Sequence, residues 1–181
     1  MTQAVLDIRR AVGSLQSREE IDSNSLGVFR ISLGGITAAL AASAEPRLEN
    51  VCLLLAGGDI GQVAWDSPEV VKVRRKFLEA GGSKEEFVAA MSQVDPATYA
   101  GNCRDRRILM LNAKQDEIIP RACTEALWKK FGEPEIVWGT GVDPAELQTY
   151  ELGYIVNPRD QRHGYATEAV RALVGQAFAV M

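Results

Sequence analysis

The chain has a single histidine, His163, among 181 residues, and only three cysteines. A mechanism that needs an imidazole base therefore has one candidate. Cys52, Cys103 and Cys123 are odd in number and widely spaced, which fits neither a disulfide framework nor a zinc site and predicts reduced thiols. No apolar run approaches the ~20 residues that cross a bilayer. The first residues, MTQAVLDIRR, carry charge where a secretory leader needs an apolar core, so a cytoplasmic location is expected, without membrane contact. A basic excess is missing too. Lys plus Arg is 20 against 24 Asp plus Glu, a net charge of -4, which argues against a nucleic-acid partner. Internal repeats and low-complexity tracts are absent. Lysine is missing from residues 139–181, whereas residues 1–138 hold six.

What is present is ordinary globular composition, with 46% apolar and 24% charged residues, in a length that suits one domain with an appendage. Val5, Ile8, Val12 and Leu15 recur at helical spacing over residues 3–16 and predict an amphipathic helix. A β-prone run at 26–31 leads through Ser32-Leu33-Gly34-Gly35 into an Ala-rich helix at 36–44. Residues 51–55 and 108–111 are unbroken apolar runs, as in strands buried on both faces of a parallel sheet. Residues 68–80 read as a helix with Pro at its first turn and Gly81-Gly82 at its end. Ser83 to Glu86 read as a capping box opening another helix. Residues 120–131 read as a helix stopped by Gly132, and 135–138 as a last short strand. Alternating strands and helices predict an α/β fold with a parallel sheet flanked by helices.

Ser32 stands between a strand and a helix in the order Arg30-Ile31-Ser32-Leu33-Gly34. This is the Gly-x-Ser-x-Gly nucleophile elbow without its first glycine, since Arg30 occupies that place. A serine-glycine turn that merely opens a helix is the alternative. A long charged side chain at a close strand–helix contact must escape to solvent or crowd the turn, and crowding would make Arg30→Gly stabilising.

The run "DIRRAVGSLQSREEIDSNSLGVFRISLGG", followed by "VCLLLAGGDI", "DPATY", "ILMLNAKQDEIIP" and "EPEIVW", resembles α/β-hydrolases of the dienelactone hydrolase and acetyl esterase kind. The segments match in order across residues 1–138. The resemblance implies a serine ester hydrolase acting on a small ester or acyl substrate without a cofactor. Ser32 would be the nucleophile, Leu33 the donor of an oxyanion amide, and Asp116 the acid. The family has further strands before the helix that opens this chain, so a partial sheet is expected, with self-association through its uncovered edges. The Gly-His expected after "EIVW" reads Gly139-Thr140-Gly141 instead. His163 follows the family order of serine, acid, histidine only formally. An impaired triad follows.

Residues 139–150 are a turn-rich junction. Beyond them, "ELGYIVNPRDQRHGYATEAVRALVGQAFAVM" resembles the core of GNAT-superfamily N-acetyltransferases, in the branch acting on ribosomal proteins. The resemblance implies a strand–loop–helix unit over 151–181. Its loop, Gln161, Arg162, His163, Gly164, Tyr165 and Ala166, would bind acetyl-CoA, because free amides at a helix N-terminus suit a pyrophosphate. N-acetyl transfer is the alternative activity, and a non-catalytic joining of two fragments is the third. Trp65, Trp128 and Trp138 are read as packing residues, Asp59 as a turn residue after Gly57-Gly58, and Cys52 as core.

Overall fold

A computed structural model of the chain describes residues 1–139, apart from Asn24, Pro68 and Glu69. The expectations for residues 140–181, including the six loop residues at 161–166, lie outside the described residues.

The predicted N-terminal helix forms as α1 (Thr2–Gln16), with Val5 and Val12 buried. Four strands follow in chain order: β1 (Gly27–Ile31), β2 (Asn50–Leu54), β3 (Arg107–Ala113) and β4 (Glu135–Gly139). They lie side by side in one sheet in the order β1-β2-β3-β4. β1 pairs parallel to β2, with Ile31 opposite Leu54. β2 pairs parallel to β3, with Leu54 opposite Leu111. Parallel neighbours need long crossovers. The first is α2 (Leu33–Ala44). The second, between β2 and β3, runs through α3 (Ile60–Asp66), α4 (Val71–Glu79), α5 (Lys84–Met91) and the short α6 (Pro96–Tyr99). α7 (Arg121–Phe131) leads to β4.

Local chemistry sets several of these ends. The capping box at α5 is formed: the Ser83 hydroxyl accepts from the Glu86 amide, and the Glu86 carboxylate accepts from the Ser83 amide. α7 ends at Gly132, whose φ of 93° is open to glycine at no steric cost. Lys129 and Lys130 in its last turn oppose the negative end of the helix dipole.

The main core joins the alanine face of α2 to one side of the sheet and to α7. Ala38, Ala39, Ala42, Val51, Leu53, Met110, Leu127 and Phe131 are all buried in it. Alanines bring helix and sheet backbones close, and burying each large aliphatic side chain contributes roughly 1.5–3 kcal/mol. Residues 1–138 form one compact unit.

Two expectations need correction. The apolar run of β2 is not buried throughout. Val51 and Leu53 face the helices, but Cys52 and Leu54 on the opposite face are only half-buried. The run reports the strand's own residues, not what is laid against each face. The helix expected over 68–80 is described only from Val71 to Glu79, and a further helix, α3, was not anticipated before it. α3 opens at Asp59, which takes a left-handed φ of 51°.

The helical excursion is held by its own contacts. Trp65 packs on Phe87 at 5.3 Å between ring centroids, and Phe87 on Phe77 at 5.9 Å. The Arg74 guanidinium lies over Trp65 at 5.8 Å and donates to its carbonyl. Trp128 donates to the Pro134 carbonyl, and Trp138 lies under Arg121. All three tryptophans are packing residues, as expected. The three cysteines are free thiols. Burial pushes Cys52 up to about 11, so it is neutral and unreactive near pH 7.

Candidate active site

β1 delivers Ser32 to the carboxyl edge of the sheet, where a parallel α/β fold places its sites. The serine has φ 53° and ψ -126°, a conformation that costs a non-glycine residue of order 1–3 kcal/mol. Neighbouring bonds over-determine it. Its amide donates to the Leu54 carbonyl at 2.9 Å, and its carbonyl accepts the Ile36 amide at 3.0 Å. The chain thus leaves the sheet and enters α2 within one residue. Ser32 stands at the N-cap, yet its hydroxyl makes no capping bond, so it is not engaged in holding the helix. Leu33, the next residue, is in the first turn of α2, where an amide has no intrahelical acceptor.

Gly35 makes this sharp turn fit. A Cβ there would stand 3.0 Å from the Leu54 carbonyl and 3.2 Å from Ala56 Cβ. Arg30 passes Gly34 at ordinary van der Waals range. A Cβ on Gly34 would lie 3.5 Å from Arg30 Cβ and 3.6 Å from its Cδ, so the arginine stem lies along the bare glycine. Arg30 itself is exposed. The expected crowding does not occur: the long side chain escapes along Gly34 and the elbow still forms. The stability effect therefore reverses. Arg30→Gly is expected to lower stability by about 0.5–1 kcal/mol through the backbone freedom of glycine in a strand. A raised urea midpoint would contradict this.

Asp116 lies two strands away, in the loop after β3. Its Oδ1 accepts the amides of Ile118 at 2.8 Å and Ile119 at 2.9 Å. This turn fixes the carboxylate, and Oδ2 accepts no hydrogen bond among the described residues. Strand neighbours are about 4.8 Å apart, so β1, which leads into Ser32, and β3, which leads into the Asp116 loop, are roughly 10 Å apart with β2 between them. His163 lies outside the described residues.

The two loops share an apolar floor. Ile36 of α2, Ile60 of α3, Ile119 of the acid loop and Cys123 of α7 form one buried cluster. The structure therefore brings together the elements bearing Ser32, Leu33 and Asp116. It also reveals Asp95, which the sequence reading did not single out. Its side chain, 5% exposed, accepts the Ile60 amide through Oδ2 and the Ala97 amide through Oδ1. One carboxylate thus caps both α3 and α6. Burial pushes its pKa upward against those two amides. The Asp-Pro pair opening "DPATY" was the available signal, since this is a preferred helix start. Among the described residues no group of three or more metal-ligating side chains comes together, and no helix is long and apolar enough to cross a membrane.

No protein-family model matches this chain. Two uncharacterized proteins of Mycobacterium tuberculosis, from strains CDC 1551 and H37Rv, are each 28% identical over 141 residues, 77% of this chain and 32% of theirs. Among solved structures, an acetyl xylan esterase from Paenibacillus sp. R4 superposes with a TM-score of 0.64 at 25% identity, over 81% of this chain and 50% of that one. Acetyl xylan esterase 1 from a Thermoanaerobacterium species gives 0.60 at 16% identity, over 80% and 50%. The fold is that of the α/β-hydrolase esterases. A Pyrococcus horikoshii acylaminoacyl peptidase shares it at a TM-score of 0.57 and 14% identity, over 76% of this chain and 23% of that one. The chain spans about half the length of the esterases and about a third of the curated relatives.

Proposed function

We propose that residues 1–138 form an ester hydrolase-like domain built for acyl transfer to Ser32. The observation that carries this is the backbone of Ser32, a non-glycine residue held at φ 53° between a parallel strand and a close-packed helix. Such strain is stored where it presents a reacting group. In the proposed reaction the Ser32 hydroxyl oxygen attacks the carbonyl carbon of a small ester, and its proton passes to a base. The developing oxyanion accepts a hydrogen bond from the Leu33 amide. The alcohol leaves with a proton, and water releases the acyl group in a second addition. Asp116 orients the base through its unengaged oxygen. No cofactor enters. We read this chain as catalytically impaired, because its sole histidine lies 25 residues past Trp138 (163 − 138) and no histidine follows the strand at the expected place.

Labelling with a fluorophosphonate, read by intact mass and peptide mapping, tests the reading. A slow adduct confined to Ser32, and absent from Ser32→Ala, is the expected result. No adduct, or one spread over other serines, would remove the assignment.

A further inference from the structure

The loop bearing Asp116 runs from the end of β3, which holds Asn112, to the start of α7, which holds Thr124. These two residues are bonded to each other across it. Asn112 Nδ2 donates to Thr124 Oγ1 at 3.0 Å, and also to the Ala56 carbonyl at 2.9 Å. The Thr124 hydroxyl donates to that same carbonyl at 3.2 Å. Asn112 is 4% exposed and Thr124 2%. Ala56 belongs to the turn that ends β2, and this turn is seated tightly on the acid loop. A Cβ on Gly57 would stand 2.7 Å from Ile119 Cγ2 and 3.1 Å from the Cys123 backbone. The Gly58 amide donates to the Cys123 carbonyl at 2.8 Å.

Asn112 carries a cost here. Its Oδ1 is buried with no hydrogen-bond partner among the described residues, a penalty that an apolar side chain of the same branching would avoid. What the amide nitrogen does is join both ends of the acid loop to the turn beside the nucleophile's strand.

We propose that Asn112 and Thr124 are positioning residues for Asp116, a polar clasp that closes the base of the acid loop and fixes its carboxylate relative to Ser32. This rests on the reading of Ser32 and Asp116 given above. The clasp acts through the loop and touches no substrate.

Hydrogen exchange on the full chain tests it without substrate. In Asn112→Leu and Thr124→Val, the amides of Ile118 and Ile119, which Asp116 holds, should exchange about tenfold faster, because local opening of the loop sets their rate. The amides of Ser32 and Leu55, bonded to Leu54 and Leu111, should keep their wild-type rates. Thr124→Ser, which retains the hydroxyl, should restore the slow exchange. Wild-type rates at Ile118 and Ile119 in both disruptive variants would overturn the clasp. So would uniform acceleration of all four amides, which would make the pair general core residues.

Added imidazole gives a second readout. It can take the Ser32 proton as Oγ attacks the fluorophosphonate phosphorus and fluoride leaves. Asp116 should orient that imidazole, so the imidazole-dependent part of Ser32 labelling should fall about tenfold in Asn112→Leu, as in Asp116→Asn. An undiminished imidazole effect in Asn112→Leu counts against the clasp. If the wild type shows no Ser32 labelling at all, the hydrolase reading fails, while the exchange rates still decide the clasp.

Discussion

Glu45→Gln is expected to lower stability by about 2 kcal/mol at neutral pH, with the deficit shrinking as the pH falls below 4.5. The carboxylate is 1% exposed at the C-terminal end of α2. Arg47 grips it from one side, with Nε on Oε1 at 2.6 Å and Nη2 on Oε2 at 2.5 Å. The Arg47 amide adds a bond at 3.2 Å, and Arg9 of α1 approaches Oε2 at 3.5 Å. Arg47 also donates to Gln16 at the end of α1, so the carboxylate ties the first helix to the end of the second. These hydrogen bonds, with Arg47 the largest influence, overcome the opposing effect of burial and hold the pKa at about 2 instead of 4.5. Bonds to a charged group contribute roughly 1.5–3 kcal/mol. A depressed carboxylate pKa gives stability that is complete above the unfolded value near 4.5 and is lost as the pH falls toward 2. Urea midpoints of wild type and variant at pH 7 and pH 3 measure this. A gap that stays constant across that range would show that the charge of Glu45 contributes nothing.

The same contrast between local and distant partners explains what could be read in the sequence. The Ser83 capping box, the Gly132 stop of α7 and the amphipathic α1 are written within a few neighbouring residues, and each forms where the pattern placed it. The strand runs were legible because parallel strands of this sheet are apolar over most of their length. The elbow was legible from Ser32-Leu33-Gly34 despite the missing first glycine, because the strand before it and the alanine helix after it supplied the context. The fit of Arg30 was not. Whether its stem clashes or lies flat depends on its path along Gly34, which composition does not report. α3 escaped notice because it is seven residues long, opened by Asp59 and capped from Asp95, 35 positions away. The Asn112–Ala56 bond spans 56 positions and the Thr124–Ala56 bond 68. Closures of that length follow from tertiary packing, and no periodicity announces them. The single histidine was visible at once in the sequence, and it governs the chemistry expected of the site.

p-Nitrophenyl acetate is expected to be hydrolysed by this chain at close to the uncatalysed rate, with Ser32→Ala changing turnover by no more than about tenfold. A serine hydroxyl at its ordinary pKa is a weak nucleophile without an adjacent base. Loss of the histidine from a complete serine triad costs on the order of 10⁶ in kcat. What survives such a loss is roughly 10³–10⁴ over water, supplied by the oxyanion hole and by binding. On the proposed reading the Leu33 amide is the one oxyanion donor assigned among the described residues, where the hydrolase elbow works with two. A missing donor removes about 10²–10³ of that remainder. The surviving factor is therefore about 10. Ser32 keeps its sharp turn and, on the proposed reading, lacks only an adjacent base, which is why labelling of Ser32 and turnover of an ester are expected to part company. Initial rates for wild type, Ser32→Ala and His163→Ala decide the matter. A drop of about a hundredfold or more in both variants would show that His163 reaches Ser32 and that the triad is complete by a route unlike the usual loop after the last strand.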